Sequence, residues 1–425
     1  DAGSGQVTVT LSVGEGTLTV TAGTSGALVS GSGSPSVTVS GTVAQINALL
    51  NTDGSSAVSY IDNTDTPGAS TTLTLSVDDN GNSGGGGSLI ASDTATINIT
   101  AVNDAPVIDL LTLAGVQTSA TTASFTESGG VVTVVPQLTL ADVDSPTLAG
   151  ATVTLTDAQN GDVLSLLGQA GTSGTLAGGI DFAISGMTVT FSNVSSVANY
   201  QAALQLVQFN NTVVAPDTTD RTFSIQVDDG AGANNLTNAT ATLTVGSVNH
   251  APQVTGLGTS VTVNEDGSVP LTGATVTDVD SAGILTVTVS VGLQGTLTSL
   301  ATQSELNQLT SATGDGTNLI TISDSVSAVN AVVAAGVTYA PVANYNGPDQ
   351  LVLSVADNHG GSDSKQVDIT VTAINDAPVA TITPAFYSAT EQVVLSLKNN
   401  GLSVSDVDAG SGQVTVTLSV GEGTL

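Results

Sequence analysis

The sequence contains no cysteine and no tryptophan. Without thiols there are no disulfides, no thiol nucleophiles and no sulfur-ligated metals. Basic residues are almost missing too: Arg221, Lys365 and Lys398 stand against 36 Asp and Glu, giving a formal charge of −33. Such a field repels a nucleic-acid backbone and an anionic membrane surface, so nucleic acid is not an expected partner and small cations are the natural counter-ions. No apolar run is long enough to span a bilayer, so direct membrane insertion by this stretch is not expected.

What remains is 40% hydrophobic, enough for ordinary cores despite 48 glycines in 425 residues. Val and Thr alternate, as in Val7-Thr8-Val9-Thr10-Leu11 and in Ala239-Thr240-Ala241-Thr242-Leu243-Thr244-Val245. A period of two describes strands with one wet face, and the length suits about three domains.

The strongest signal is internal repetition. Residues 408–425 reproduce residues 1–18 without a difference, so the sequence repeats with a period of 407 residues and the parent protein is expected to be longer, any targeting segment lying elsewhere. Within one period an Ala-Pro tetrapeptide returns three times, at Asn103-Asp104-Ala105-Pro106, Asn249-His250-Ala251-Pro252 and Asn375-Asp376-Ala377-Pro378. Proline cannot donate to a ladder and holds its predecessor extended, so each tetrapeptide reads as a tight joint between domains. The division is 1–102 (a domain lacking its first strands), 103–248, 249–374, and 375–425 as the start of the next domain, with 408–425 repeating 1–18.

Each copy orders its elements alike. An early strand pair leads to Asp142-Val143-Asp144, Asp278-Val279-Asp280 or Asp406-Val407-Asp408, then to strands such as 149–156 and 283–291. A short helix is expected at 42–50, 195–206 and 324–334, the second capped by Ser195 or Ser196. The penultimate strand ends in an acidic turn at Asp78-Asp79, Asp228-Asp229 or Asp357. About seven antiparallel strands per domain describe a sandwich of the immunoglobulin or cadherin kind.

The Asn-Asp-Ala-Pro joint, the lone first-strand glutamate (Glu127, Glu265, Glu391), the Asp-Val-Asp turn and the acidic turn before the last strand together resemble the cadherin-like repeats of giant bacterial surface and biofilm proteins. The resemblance covers the whole chain. It implies an all-β fold of tandem cadherin/immunoglobulin-like β-sandwiches with short helical insertions, arranged as an extended rod, and a bacterial extracellular or cell-surface location.

Strand direction then brings acids to each joint from both sides. At the first these are Asp65, Asn103, Asp104, Asp142, Asp144 and Asp228 or Asp229, with the Glu391 equivalent. At the second, where His250 replaces the acid and fewer ions are expected, they are Glu127, Asp217 or Asp220, Asn249, Asp278, Asp280 and Asp357. At the third they are Glu265, Asp349, Asn375, Asp376, Asp406 and Asp408, with Asp78 or Asp79 of the next copy. Crowded carboxylates repel one another, and calcium, with six to eight oxygen ligands and tolerant geometry, relieves them. The alternative is that these Asp and Asn side chains simply cap their own turns.

No catalytic constellation stands out, and the protein is not expected to be an enzyme. Tetraglycine 84–87 lacks a phosphate loop's lysine and reads as a hairpin tip. His250 and His359 have neither a cysteine partner for zinc nor a nucleophile elbow, and His250 reads as a surface side chain. Tyr339, Tyr345 and Phe386 read as packing residues. The expected role is a calcium-rigidified extender of a secreted or surface adhesin in cell adhesion or biofilm formation. Two alternatives stay open: a self-assembling subunit of a filament, sheath or surface layer whose partners are neighbouring copies or other chains, and a non-catalytic spacer of a secreted enzyme.

Overall fold

The computed structural model describes residues 5–82, 86–280 and 283–425, so Gly84 and Gly85 of the tetraglycine, and the repeat's first four residues, lie outside it. The chain divides into two compact units, 1–247 and 248–425.

In the first unit the alternating segment Gln6–Val13 becomes a central strand, paired antiparallel with Ser36–Thr42 on one side and Ser70–Asp78 on the other. Val7, Val9, Leu11 and Val13 turn inward and are buried. Leu28–Ser30 and Ile90–Asn98 complete this five-stranded sheet, and Thr17–Thr21 pairs with Ala57–Ile61 against the same core.

A second core lies between residues 108 and 245. Its seven-stranded sheet runs in the order Ser173–Thr175, Asp181–Ser185, Thr188–Ser196, Thr147–Leu155, Arg221–Asp228, Leu236–Gly246, Ser119–Thr126. A three-stranded sheet of Val132–Thr133, Val207–Asn211 and Asp162–Leu166 shares that core. Phe209 meets Phe125 and Phe223 edge-to-face, with centroids 5.4 and 6.1 Å away, the arrangement favoured by ring quadrupoles.

The second unit repeats the plan around residues 254–371. Strands Ser260–Asn264, Ser362–Thr372, Gly347–Ala356, Ile284–Ser290, Leu319–Ser325 and Ser311–Thr313 form one sheet; Val269–Leu271, Val337–Pro341 and Gly295–Ser299 form the other. After it, Val379–Ile382 pairs with Leu402–Ser405 as a two-stranded ladder.

The expected all-antiparallel pairing needs a correction. Ser119–Thr126 runs parallel to Leu236–Gly246, and Ser260–Asn264 parallel to Ser362–Thr372. The reason is a sheet switch. The chain first makes a short strand, Val107–Asp109 or Gln253–Thr255, antiparallel to Thr139–Ala141 or Thr275–Thr277, then crosses to the edge of the large sheet and runs beside the last strand.

The helices sit close to the expected segments. Thr42 and Gln45 form a capping box on Val43–Asn47, which continues as a π-helical turn, Ala48–Thr52. Ser196 caps Val197–Leu204 and Ser325 caps Val326–Ala335, while Asp324 still belongs to the preceding strand. The last of these helices ends at Gly336, whose φ is 88° and where a Cβ would lie 2.2 Å from the Leu271 carbonyl oxygen. A short helix at Gln303–Leu306, boxed by Thr302 and Glu305, was not anticipated. Among the described residues no helix is long and apolar enough to cross a membrane.

One position near the start of each penultimate strand performs a similar task with different chemistry. Thr71 Oγ1 accepts from the Gly14 and Glu15 amides at 3.1 and 2.9 Å. Arg221 donates to Asp162, and Asp349 Oδ1 accepts from the Gly292 amide at 2.9 Å. Each ties the penultimate strand to the segment that follows the central strand.

Candidate cation-binding joints

The three tetrapeptides are held by a recurring clasp. In each Asp-Val-Asp turn the first carboxylate accepts from the amide of the second aspartate: Asp144 N donates to Asp142 Oδ1 at 3.2 Å, Asp280 N to Asp278 Oδ1 at 2.9 Å, Asp408 N to Asp406 Oδ1 at 3.0 Å. That is an Asx-turn, the geometry short acidic side chains favour. The second carboxylate then accepts the amide of the tetrapeptide's second residue. Asp104 N donates to Asp144 Oδ2 at 3.1 Å, His250 N to Asp280 Oδ2, and Asp376 N to Asp408 Oδ2.

The tetrapeptide's asparagine grips the acidic turn before the last strand. Asn103 Nδ2 donates to Asp229 Oδ2 at 2.8 Å and to the Asn234 carbonyl at 2.9 Å, and Asn234 Nδ2 returns a bond to the Asn103 carbonyl. Asn249 Nδ2 likewise donates to Asp357 Oδ2 at 2.9 Å, and this bond is the leading cause that holds Asp357 below the usual carboxylate range. Asn375 Nδ2 donates to its neighbour's carbonyl, Asp376 O, at 3.1 Å.

Three carboxylate oxygens at these joints are buried and have no hydrogen-bond partner: Asp142 Oδ2, Asp144 Oδ1 and Asp376 Oδ2. Burial is the first cause that raises the Asp142 pKa, and Asp144 adds to it. Burial likewise leads for Asp376, followed by the charges of Asp408, Asp266, Glu265 and Asp406. The third joint therefore gathers five acids from three segments. Among the described residues, however, no group of three or more His, Asp or Glu side chains is arranged to hold a metal ion by itself. Any ion here would draw also on carbonyls, amide oxygens or water, donors calcium accepts.

The first-strand glutamates turn toward the ends of their sandwiches. Glu127 N donates to the Gly246 carbonyl and its Oε1 accepts from Ala215 N at 3.1 Å. Glu265 N donates to the Thr372 carbonyl, Oε1 accepts from Ile374 N at 2.6 Å, and Oε2 from Asn346 at 3.1 Å. The residue after each glutamate is left-handed: Ser128, Asp266 and Gln392 have φ of 59°, 63° and 65°. Asp266, absent from the sequence-based set, enters the third joint this way. The directly adjacent acid after Glu265 was its available signal.

Other expected ligands have local employment. Asp349 accepts from Tyr339 Oη at 2.9 Å, Asp217 from Thr219 N at 2.8 Å, and Asp228 from Gly230 N and Asn235 Nδ2 at 2.8 and 2.9 Å. Asp78 accepts from Asn80 N at 2.7 Å, and Asp79 is held low by the amides of Leu89 and Gly81. Asp65, Asp220 and Glu391 are exposed.

His250 keeps a third of its side chain exposed, and its Nδ1 lies 3.2 Å from Asp280 Oδ1, because the clasp brings the ring against that carboxylate. One further expectation is corrected. Phe386 does not pack; it is 79% exposed, since the segment around it contributes to no core, whereas Tyr339 is buried and Tyr345 packs on the third core.

A family model described as a bacterial Ig domain matches residues 301–370, the second half of the third sandwich. No curated protein matches the sequence. Among solved structures the chain is similar to mouse cadherin-23 EC22-24, at 15% identity over 86% of each chain with a TM-score of 0.32. It is similar also to the protocadherin gamma B4 extracellular domain, at 15% identity over 86% of this chain and 45% of that one, TM-score 0.33. For protocadherin gamma C5 EC1-3 the values are 14%, 83% and 89%, with a TM-score of 0.32. The chain is an all-β array of sandwiches, as its own pairings and cores establish.

Proposed function

We propose that the chain is a structural segment of a large secreted or cell-surface bacterial adhesin, an extender with no catalytic role, and that calcium at its joints stiffens it. The observation that carries this reading is the set of orphaned, buried carboxylate oxygens on Asp142, Asp144 and Asp376. An unpaired buried charge is expensive, and a hard cation is the partner that would offset it. Asp104, Asp142 and Asp144 would hold an ion at the first joint; Glu265, Asp376, Asp406 and Asp408, with Asp266, at the third. At the second joint the ring of His250 already meets Asp280, so weaker or fewer ions are expected there.

Bound calcium would neutralise the clasp and fix the angle at which one sandwich hands over to the next. Calcium that binds only the ordered joint also stabilises it, by about 2.7 kcal/mol at a hundred times the dissociation constant. Small-angle scattering of the whole chain with calcium, then with excess chelator, tests the reading. A shorter or more flexible particle after chelation is expected, and the Asp142→Asn/Asp376→Asn variant should need more calcium to recover. Superimposable profiles with and without calcium would overturn it.

A further inference from the structure

The second and third sandwiches share a plan but not a filling, and their registers set the equivalence residue by residue. Phe191 and Val227 flank Ala151 across the large sheet of the second, as Ile322 and Val355 flank Val287 across that of the third. Four residues back along each penultimate strand, Phe223 matches Leu351. Two residues before the first-strand glutamates, Phe125 matches Val263. Four residues after the helix caps Ser196 and Ser325, Tyr200 matches Val329. Four buried rings of one core are thus aliphatic in the other.

The exchange is only partly made good. Val287 and Val332 stand in the third core where Ala151 and Ala203 stand in the second, and an Ala-to-Val gain is smaller than the loss of a ring. What is left is a cavity between the helix Val326–Ala335 and the sheets, with Leu271, Val289, Ile322, Val333, Leu351 and Leu353 in its lining. Two of the four exchanged positions, Ile322 and Leu351, therefore form its wall. The centre of a water-sized sphere has about 30 Å³ to move in. One water needs roughly 10–15 Å³ on that measure, so the space exceeds an ordinary packing gap.

Its chemistry selects the guest. Among the described residues Ser299 is the one polar side chain in the lining, and its hydroxyl already accepts from Ala301 N at 3.2 Å. A buried water asks for roughly two to four polar partners, so a cavity lined in this way stays dry and takes an apolar guest. Ser299 and Ile320 also border a polar groove with Gln303, Asn307, Thr310 and Asp315, so cavity and groove adjoin there.

We propose that the third sandwich binds a small apolar molecule, of the class of a hydrocarbon with a few carbon atoms, in the cavity behind Ile322 and Leu351, and that the guest enters from the groove at Ser299. Such a guest restores the dispersion contacts that the missing rings forfeit. Because it binds only the folded sandwich, it also stabilises that sandwich by linkage. Neither effect involves the joints or calcium.

The test uses the whole chain in excess chelator, with xenon as the probe, since it matches a small hydrocarbon in bulk and has no polar group. Methyl resonances of Leu271, Ile322, Val333 and Leu351 should shift saturably with xenon pressure, while those of Leu204 and Ile225 in the second core stay in place. Amide exchange in the strand Ile284–Ser290 should slow at least threefold at saturation. Leu351→Phe restores the ring found at Phe223 and should lower xenon affinity at least tenfold. Ile322→Phe, which restores the ring of Phe191, serves where the first variant disturbs folding. Wild-type shifts that grow without saturation, spread equally over both cores, or fall on Asn307 and Thr310 alone would overturn the proposal, as would undiminished affinity in a folded ring-restoring variant.

Discussion

Arg221 Nε lies 2.7 Å from Asp162 Oδ2, and neither side chain is exposed. The chain's one arginine is thus spent inside the second sandwich. Its guanidinium also donates to the Thr219 and Asp217 carbonyls, while Asp162 accepts from Gln159 N and Asn211 Nδ2 at 2.7 and 2.8 Å. Removing one partner would strand the other as a buried charge. Arg221→Met should therefore cost about 3–5 kcal/mol, and the double variant Arg221→Met/Asp162→Leu should recover much of it. Chemical denaturation midpoints decide; a single variant within about 1 kcal/mol of the parent would show the pair to be dispensable.

Asn103 joins the tetrapeptide to the turn at 229–234 through several bonds. Asn103→Ala should cost about 1–2 kcal/mol and, more tellingly, speed amide exchange in residues 229–235 without changing it in the core strand Thr147–Leu155. Equal exchange in both would separate the turn's order from the clasp.

Asp324 gives a pH dependence of definite sign. Amides of Ser325 and Thr310 hold its pKa down to about 2, below the ordinary 3.8 of an aspartate. A carboxylate depressed in the folded state contributes stability that is fully present above its unfolded pKa and lost as pH falls through the folded one. Between pH 4 and 2 the parent should lose stability faster than Asp324→Asn. Parallel acid titrations, followed by circular dichroism, would contradict this if they superimpose.

Tyr339 is buried, and its hydroxyl donates to Asp349 Oδ2 at 2.9 Å. Burial first, then that carboxylate, pushes the phenol far above its ordinary range. Tyr339→Phe should cost about 1 kcal/mol, because Asp349 keeps the Gly292 and Gln350 amides. Asp349→Leu, which abandons Gly292, should cost more; thermal unfolding of the two variants compares them.

Much of this was legible in the residues. Alternation announced the strands, Thr42 and Ser196 announced their helices, and the spacing of Asp142 and Asp144 announced a turn facing the joint, because each signal is local. The parallel edge strands were not legible, since alternation carries no direction. Nor was the Arg221–Asp162 pair, whose partners are brought together only by the closed sandwich. Asp266 was overlooked because a left-handed residue beside a glutamate looks, in one dimension, like any acidic turn.

Thr71, Arg221 and Asp349 do related work with a hydroxyl, a cation and an anion. Exchange of half a module between neighbours would therefore bring a guanidinium to a site built for a carboxylate, or the reverse. Each contact is private to its own sandwich, so a side chain that suits one copy at this position does not suit the next.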